Sequence, residues 1–238
     1  MSPRRSVDWR LETATAPVSD LLGPWPAPAD VDSHVVRLGR VSGHGALVLG
    51  SAQRDDVVDR DALAGAGLDL CRRLSGGGAV VVGPGDQVWV EAWVPRESPL
   101  WDDDIVDGAS WMGDTWYRAL SHLGVETLHV HRGRATGAPW SGLVCFAGLG
   151  PGELSHGRCK VMGLSQRRSR AGARFQTCAL RAWQPSVLCA LLGLDRSSPG
   201  VAAALDGVAV GLDRLLGVTD PDKDVLGAVE EAVVAALP

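Results

Sequence analysis

The chain has 238 residues, of which 45% are apolar and 21% charged, and it carries a net charge of −5. Those values fit a soluble globular protein of one large domain, or of one domain with a small appendage. The acidic balance argues against nucleic-acid binding by the whole surface, and no stretch reaches the roughly 18 apolar residues a membrane helix needs.

Five cysteines (Cys71, Cys145, Cys159, Cys178 and Cys189) form an odd set without C-x-x-C spacing. That pattern suits neither a disulfide framework nor a zinc site, so a reducing cytoplasmic setting is expected. The opening MSPRRSVDWRLETA has no apolar stretch behind its basic residues and does not read as a secretory signal.

In chain order, residues 8–22 predict an amphipathic helix stopped by GPWPAP at 23–28. HVVRLGRV at 34–41 and ALVLG at 46–50 read as strands joined by the turn SGHG. A short helix over 59–66 and a strand near 69–73 follow. AVVV, the turn GPGD and QVWVEAWV then read as a hairpin. In its second arm Val88, Val90 and Ala92 alternate with Trp89, Glu91 and Trp93.

An acidic entry, WDDD, leads to a helix over about 109–123 with Gly124 as its stop. TLHVHRG and SGLVCFAG at 141–148 read as strands, GPGELSHGR as a loop, and CKVMGLSQ at 159–166 and RFQTCALRAW at 174–183 as two more strands. From 185 onward the pattern is helical. The expected fold class is α+β, a mixed and largely antiparallel sheet core flanked by helices. The expected division is a catalytic domain over 1–195 with a C-terminal helical segment, 196–238, packed on it.

Three consecutive glycines, Gly76, Gly77 and Gly78, follow Arg72, Arg73 and Ser75. Such a run can bring backbone N–H groups close to a phosphate or carboxylate, with the arginines adding charge. A tight turn with glycines for backbone reasons is the competing reading, since neither the Walker nor the dinucleotide spacing is present. Lys160 is one of only two lysines, the other being Lys223, in a chain that otherwise uses arginine. It is either a residue with a specific task or an ordinary surface lysine. His129 and His131 share a strand face without a third ligand at sensible spacing, so a solvated face is expected and no metal site. Asp102–Asp104 reads as a solvated loop, and RRSR at 167–170 as a basic loop that covers a phosphate, meets an acidic carrier domain or is simply exposed.

Taken together, RRLSGGGAV at 72–80, GRCKVMGLSQ at 157–166 and the upstream ALVLGSAQ at 46–53 resemble the lipoate–protein ligase, octanoyltransferase and biotin ligase superfamily, in the same order and spacing. The resemblance spans roughly residues 8–192 and implies a sheet akin to the class II aminoacyl-tRNA and biotin synthetase fold. It implies transfer of a lipoyl or octanoyl group to a specific lysine of a carrier domain, such as a glycine cleavage H protein or a 2-oxoacid dehydrogenase subunit. In that reading Arg72, Arg73, Ser75, Gly76, Gly77, Gly78, Ala79, Gly163, Ser165 and Gln166 hold substrate or nucleotide, and Lys160 approaches the acyl carbonyl.

A ligase of this kind uses ATP and Mg²⁺. The sequence departs from the ligases in two places: Val82 stands where a histidine is usual, and FQTC at 175–178 replaces a His-His-Gly-like stretch. It is also expected to lack the separate C-terminal domain of many bacterial ligases. Cys145, in VCF at 144–146, resembles the cysteine nucleophile of the superfamily's octanoyltransferases and amidotransferases, and GLSQRRSRAG at 163–172 resembles their form of the lysine motif. A Cys145 thioester would need no ATP or other cofactor. Cys145 as a buried apolar residue of a strand is the competing reading. A non-catalytic acyl- or nucleotide-binding relative is the remaining alternative. The sequence leaves open lipoyl against octanoyl, the carrier's identity and the oligomeric state.

Overall fold

The computed structural model describes residues 7–26, 30–137, 139–194, 200–220 and 222–238. The boundary expected at 195/196 lies outside the described residues. In chain order the elements are β1 (Trp9–Ala16), α1 (Val18–Leu21), β2 (His34–Val41), β3 (Ala46–Leu49), α2 (Arg60–Gly65), β4 (Asp69–Arg72), β5 (Val80–Val82) and β6 (Gln87–Pro95). There follow α3 (Ile105–His122), β7 (Leu128–Val130), β8 (Leu154–His156), β9 (Cys159–Arg168), β10 (Gly172–Leu180), α4 (Pro185–Leu191), α5 (Val201–Asp206), α6 (Leu212–Leu215) and α7 (Val225–Ala235).

Two sheets result. The larger has the order β1-β2-β6-β10-β9-β8-β7, and the smaller β4-β3-β5. In the large sheet only β1–β2 is parallel; the other pairs are antiparallel. The mixed, mainly antiparallel sheet flanked by helices agrees with the expected fold class.

The alternation along β6 decides how the layers stack. Val88, Val90, Ala92 and Val94 face α3 and α7, joining Met112, Trp116, Leu120, Val225 and Val229 in one core. Trp89 turns to the other face and packs with Val41, Ala46, Val48 and Val82 beside the small sheet. The space between the sheets is where the candidate site lies. On α3, Trp111, Met112, Thr115, Trp116, Ala119 and Leu120 form the buried face, and Trp116 Nε1 donates to Thr177 Oγ1 on β10 at 3.0 Å. Asp104 caps this helix by accepting from Val106 and Asp107 N–H, and Gly124 ends it at φ +88°. No helix of the described residues is long and apolar enough to cross a membrane.

Four expectations are corrected. Residues 9–16 form a strand, not the first part of a helix: the segment alternates, and all eight of its residues pair in parallel with β2. The short α1 keeps only four residues of the expected helix. β2 and β3 enter different sheets and so do not form a hairpin, and the same is true of β5 and β6. The GPGD turn is a corner between sheets, closed by the Gln87 amide, which bonds both the N–H and the C=O of Gly83 at 3.0 Å. Residues 141–148 are turns with a 3₁₀ segment at Cys145–Ala147, not a strand. Their carbonyls serve a side chain rather than a ladder, as described below.

Candidate active site

A cavity of about 500 Å³ opens between the two sheets. Its floor comes from β9 and β10, its opposite wall from Val48 on β3 and Val80 and Val82 on β5, and its rim from the 73–78 glycine loop and from residues 135–137 and 141–150.

Lys160, on β9, sits at the edge of this floor and is only 3% exposed. Its Nζ pairs with Glu153 Oε2 at 2.7 Å and donates to Cys145 O at 2.9 Å and Gly148 O at 3.1 Å. An ammonium has three N–H donors, so all of them are committed to the protein. The ring of Phe146 lies 5.1 Å from the same nitrogen. This is why residues 145–148 do not extend into a strand: their carbonyl oxygens turn in to solvate a buried cation. The Lys160 backbone is held as well, Lys160 N donating to Val208 O at 2.8 Å and Val210 N to Lys160 O at 3.0 Å.

Glu153 is the partner the sequence reading missed. It is 5% exposed and also accepts from Gly150 N at 2.6 Å and Leu164 N at 3.0 Å, so its carboxylate is fully engaged. A signal was available. Gly157, at φ +57°, and Arg158 form a two-residue hairpin turn that places His156 opposite Cys159 and Ser155 opposite Lys160. Glu153 is then two residues back along the partner strand, near the same face.

The glycine loop has two kinds of glycine. Gly78 is required by the chain itself: a Cβ there would lie 2.5 Å from the backbone N and C of Val144. Gly77 adopts φ +96°, and its Cβ would approach Arg73 Nη2 to 2.8 Å. A Cβ on Gly76 would meet nothing within 4 Å, so this part of the loop faces open space. Gly78→Ala is expected to destabilise the fold by about 1–3 kcal/mol, because only backbone can move to admit the methyl. A thermal-unfolding midpoint unchanged from wild type would contradict that packing.

Arg73 braces the loop, donating to Gly76 O at 2.8 Å and Gly78 O at 2.8 Å. Its Nη1 is buried without a partner among the described residues. Of the residues singled out in the sequence, Arg73, Gly76, Gly77, Gly78, Cys145, Lys160, Gly163 and Ser165 all line the cavity. Arg72 does not: it props the 50–55 loop through Gly50 O at 2.8 Å and Asp55. Ser75 and Ala79 lie behind the loop, Ala79 N donating to Leu143 O at 2.7 Å. Gln166 lies beyond the cavity, beside Ile105 and Arg168.

Cys145 and Cys178 both reach the cavity. Burial pushes the Cys178 thiol up to about 12; Cys145 adds to the rise, and Lys160 and Arg73 oppose it. Cys178 therefore stays protonated near neutrality. Its raised value lends stability that is present below the unfolded thiol's pKa and is lost as pH rises through the folded one. His131 Nε2 lies 2.8 Å from Arg134 O, and among the described residues no three His, Cys, Asp or Glu are grouped so as to hold a metal ion.

The lipoyl protein ligase A/B catalytic-domain family model matches residues 29–209, about three quarters of the chain. The chain belongs to this family. It is thus an enzyme of the lipoyl ligase or transferase type. Solved structures of similar fold include the bi-partite lipoate protein ligase of Thermoplasma acidophilum, studied with its E2 lipoyl domain (TM-score 0.71, 16% identity, covering 97% of this chain and 82% of that one). A lipoate-protein ligase A bound with ATP has TM-score 0.67 and 17% identity, covering 95% of this chain and 83% of that one. A T. acidophilum structure with bound lipoic acid has TM-score 0.63 and 17% identity, covering 86% and 71%. No curated protein matches the sequence. Within this lipoyl ligase and transferase fold, the Lys160–Glu153 pair sits at the meeting point of the cavity's floor and rim.

Proposed function

We propose that the chain transfers a lipoyl or octanoyl group to a specific lysine of a lipoyl carrier domain, after ATP-dependent activation of the acid. The observation that carries this reading is Lys160: a buried, fully bonded ammonium beside a largely apolar cavity, next to a glycine loop with an arginine nitrogen that has no partner among the described residues. Lipoic acid in one structural neighbour, ATP in another and an E2 lipoyl domain studied with a third lend support.

The apolar walls hold the acyl chain by burial. Lys160 reaches the acyl carbonyl oxygen by exchanging one of its own carbonyl acceptors, of which Gly148 O is the more distant. The ammonium then stabilises the negative charge that grows on that oxygen during attack. Glu153 holds Lys160 in place throughout. Arg73 and the open Gly76 segment would hold the phosphates, and ATP, when bound, supplies the activated form of the carboxyl group. Mg²⁺ would come with the phosphates whose charge it offsets.

One observation favours a second reading, a cysteine-dependent transferase. Cys145 lines the same cavity, and its own carbonyl accepts from Lys160. Its thiolate would attack the carbonyl of an acyl donor, form a thioester and release the donor group. The carrier amine would then attack the thioester, forming the amide and returning the thiol.

Intact mass spectrometry of a lipoyl carrier domain separates the two. One incubation contains octanoate or lipoate with ATP and Mg²⁺; the other contains octanoyl-carrier and no ATP. Acylation only in the first is the expected result. Acylation only in the second selects the Cys145 route, and silence in both overturns the acyl-transfer reading.

A further inference from the structure

The cavity floor carries a polar pair that the transfer chemistry leaves unused. Ser165 on β9 and Gln176 on β10 stand directly opposite each other, and both line the cavity. Gln176 Nε2 donates to Glu91 Oε1 at 2.6 Å, and the same oxygen accepts from Arg174 Nη2 at 2.6 Å. A carboxylate only accepts, so it holds the amide nitrogen and leaves the Gln176 carbonyl oxygen turned away from it. Among the described residues neither Gln176 Oε1 nor Ser165 Oγ has a hydrogen-bond partner, and the two are not bonded to each other. Their neighbours in the cavity include Trp89, Leu164 and Cys178.

Position along the strand adds the second half of the argument. A Cβ on Gly163 would lie 3.6 Å from Lys160 Nζ, so Gly163 marks the lysine end of the floor. Ser165 is two residues further along β9, about 7 Å away at the rise of a strand. An acid with its carboxyl group at Lys160 would therefore lay its distal carbons, not its first ones, over the Ser165–Gln176 pair.

We infer that Ser165 and Gln176 select the acyl chain by reading a hydrogen-bond donor on its distal carbons. The favoured substrate is then an eight-carbon acid bearing a hydroxyl or thiol there, rather than a plain alkyl acid. The inference rests on the acyl-transfer reading above. A bare methylene chain strips water from the fixed carbonyl and the hydroxyl and returns nothing, whereas a donor on the chain pairs with both. A site built to bond a polar group discriminates against the analogue that lacks it far more sharply than an apolar pocket discriminates by size.

Isothermal titration of the purified protein with octanoate, 6-hydroxyoctanoate and 8-hydroxyoctanoate tests this. The better hydroxy acid is expected to bind roughly tenfold or more tightly than octanoate. Ser165→Ala and Gln176→Met are each expected to shrink that ratio toward one, and Ser165→Ala, which touches no bond of the Glu91 cluster, answers even if Gln176→Met folds poorly. Equal affinities in the wild type overturn the inference while leaving acyl binding intact, as does a preference that survives Ser165→Ala undiminished. If no acid binds, the acyl-transfer reading itself fails, and the inference fails with it.

Discussion

Lys160→Ala is expected to lower carrier acylation by about 10²–10³-fold or more and to destabilise the fold by about 3–5 kcal/mol. In the proposed reaction the first effect would follow from losing the ammonium that stabilises charge on the acyl carbonyl. The second follows from what the lysine leaves behind. Glu153 is 5% exposed, and without Lys160 its carboxylate keeps only the Gly150 and Leu164 N–H groups as partners. The carbonyls of Cys145 and Gly148 also lose their donor, which loosens the rim of the cavity. An ordinary surface lysine, one of the two readings the sequence allows, would carry no such cost to stability. Acylation should be measured at a temperature where circular dichroism shows the variant folded. A folded variant with wild-type turnover would remove Lys160 from the mechanism by either route.

Glu91→Ala is expected to cost at least about 3–5 kcal/mol, measured by urea unfolding. Glu91 is fully buried and accepts from Arg37 Nε, Arg174 Nη2 and Gln176 Nε2, each at 2.6 Å. Removing it leaves two buried guanidinium groups facing each other. Burial already lowers the Arg174 pKa; Glu91 offsets part of that, and Arg37 and Arg167 add to the lowering. Both arginines also hold α1, donating to Leu21 O, and Arg174 reaches Gly23 O at 2.7 Å. Loss of the carboxylate should therefore release the Leu21–Gly23 turn that closes this end of the molecule, as hydrogen exchange would report. A loss below about 1 kcal/mol would mean that the two arginines find other partners at little cost. A double-mutant cycle with Arg37→Ala would then locate the compensation.

Much of the architecture was legible in single segments. The alternation of β6 sorted its residues to two faces correctly, and Gly124 marked the end of α3. The three motifs that carried the family resemblance supplied the lysine, Arg73 and the glycine loop, which the fold brings to one cavity. Residues 9–16 were misread because a short stretch with few apolar residues scarcely distinguishes a period of 2 from one of 3.6; the edge of β2 decided it. Arg72 and Arg73 are adjacent and chemically alike, yet one braces the glycine loop at the cavity and the other props the neighbouring loop.

What the sequence by itself determined is whatever depends on neighbours a few residues away: the strand alternation of β6, the stop of α3 at Gly124, and the order of the motifs that carry the family resemblance. Tertiary structure alone decided which sheet each strand joins, since β5 and β6 part company at a corner that no local pattern announces. It also decided the company Lys160 keeps. Glu153, Cys145 and Gly148 meet one ammonium because a buried charge must collect its acceptors from whatever segments the fold brings within reach. That requirement, rather than any spacing in the chain, turned an expected strand at 141–148 into the rim of a site.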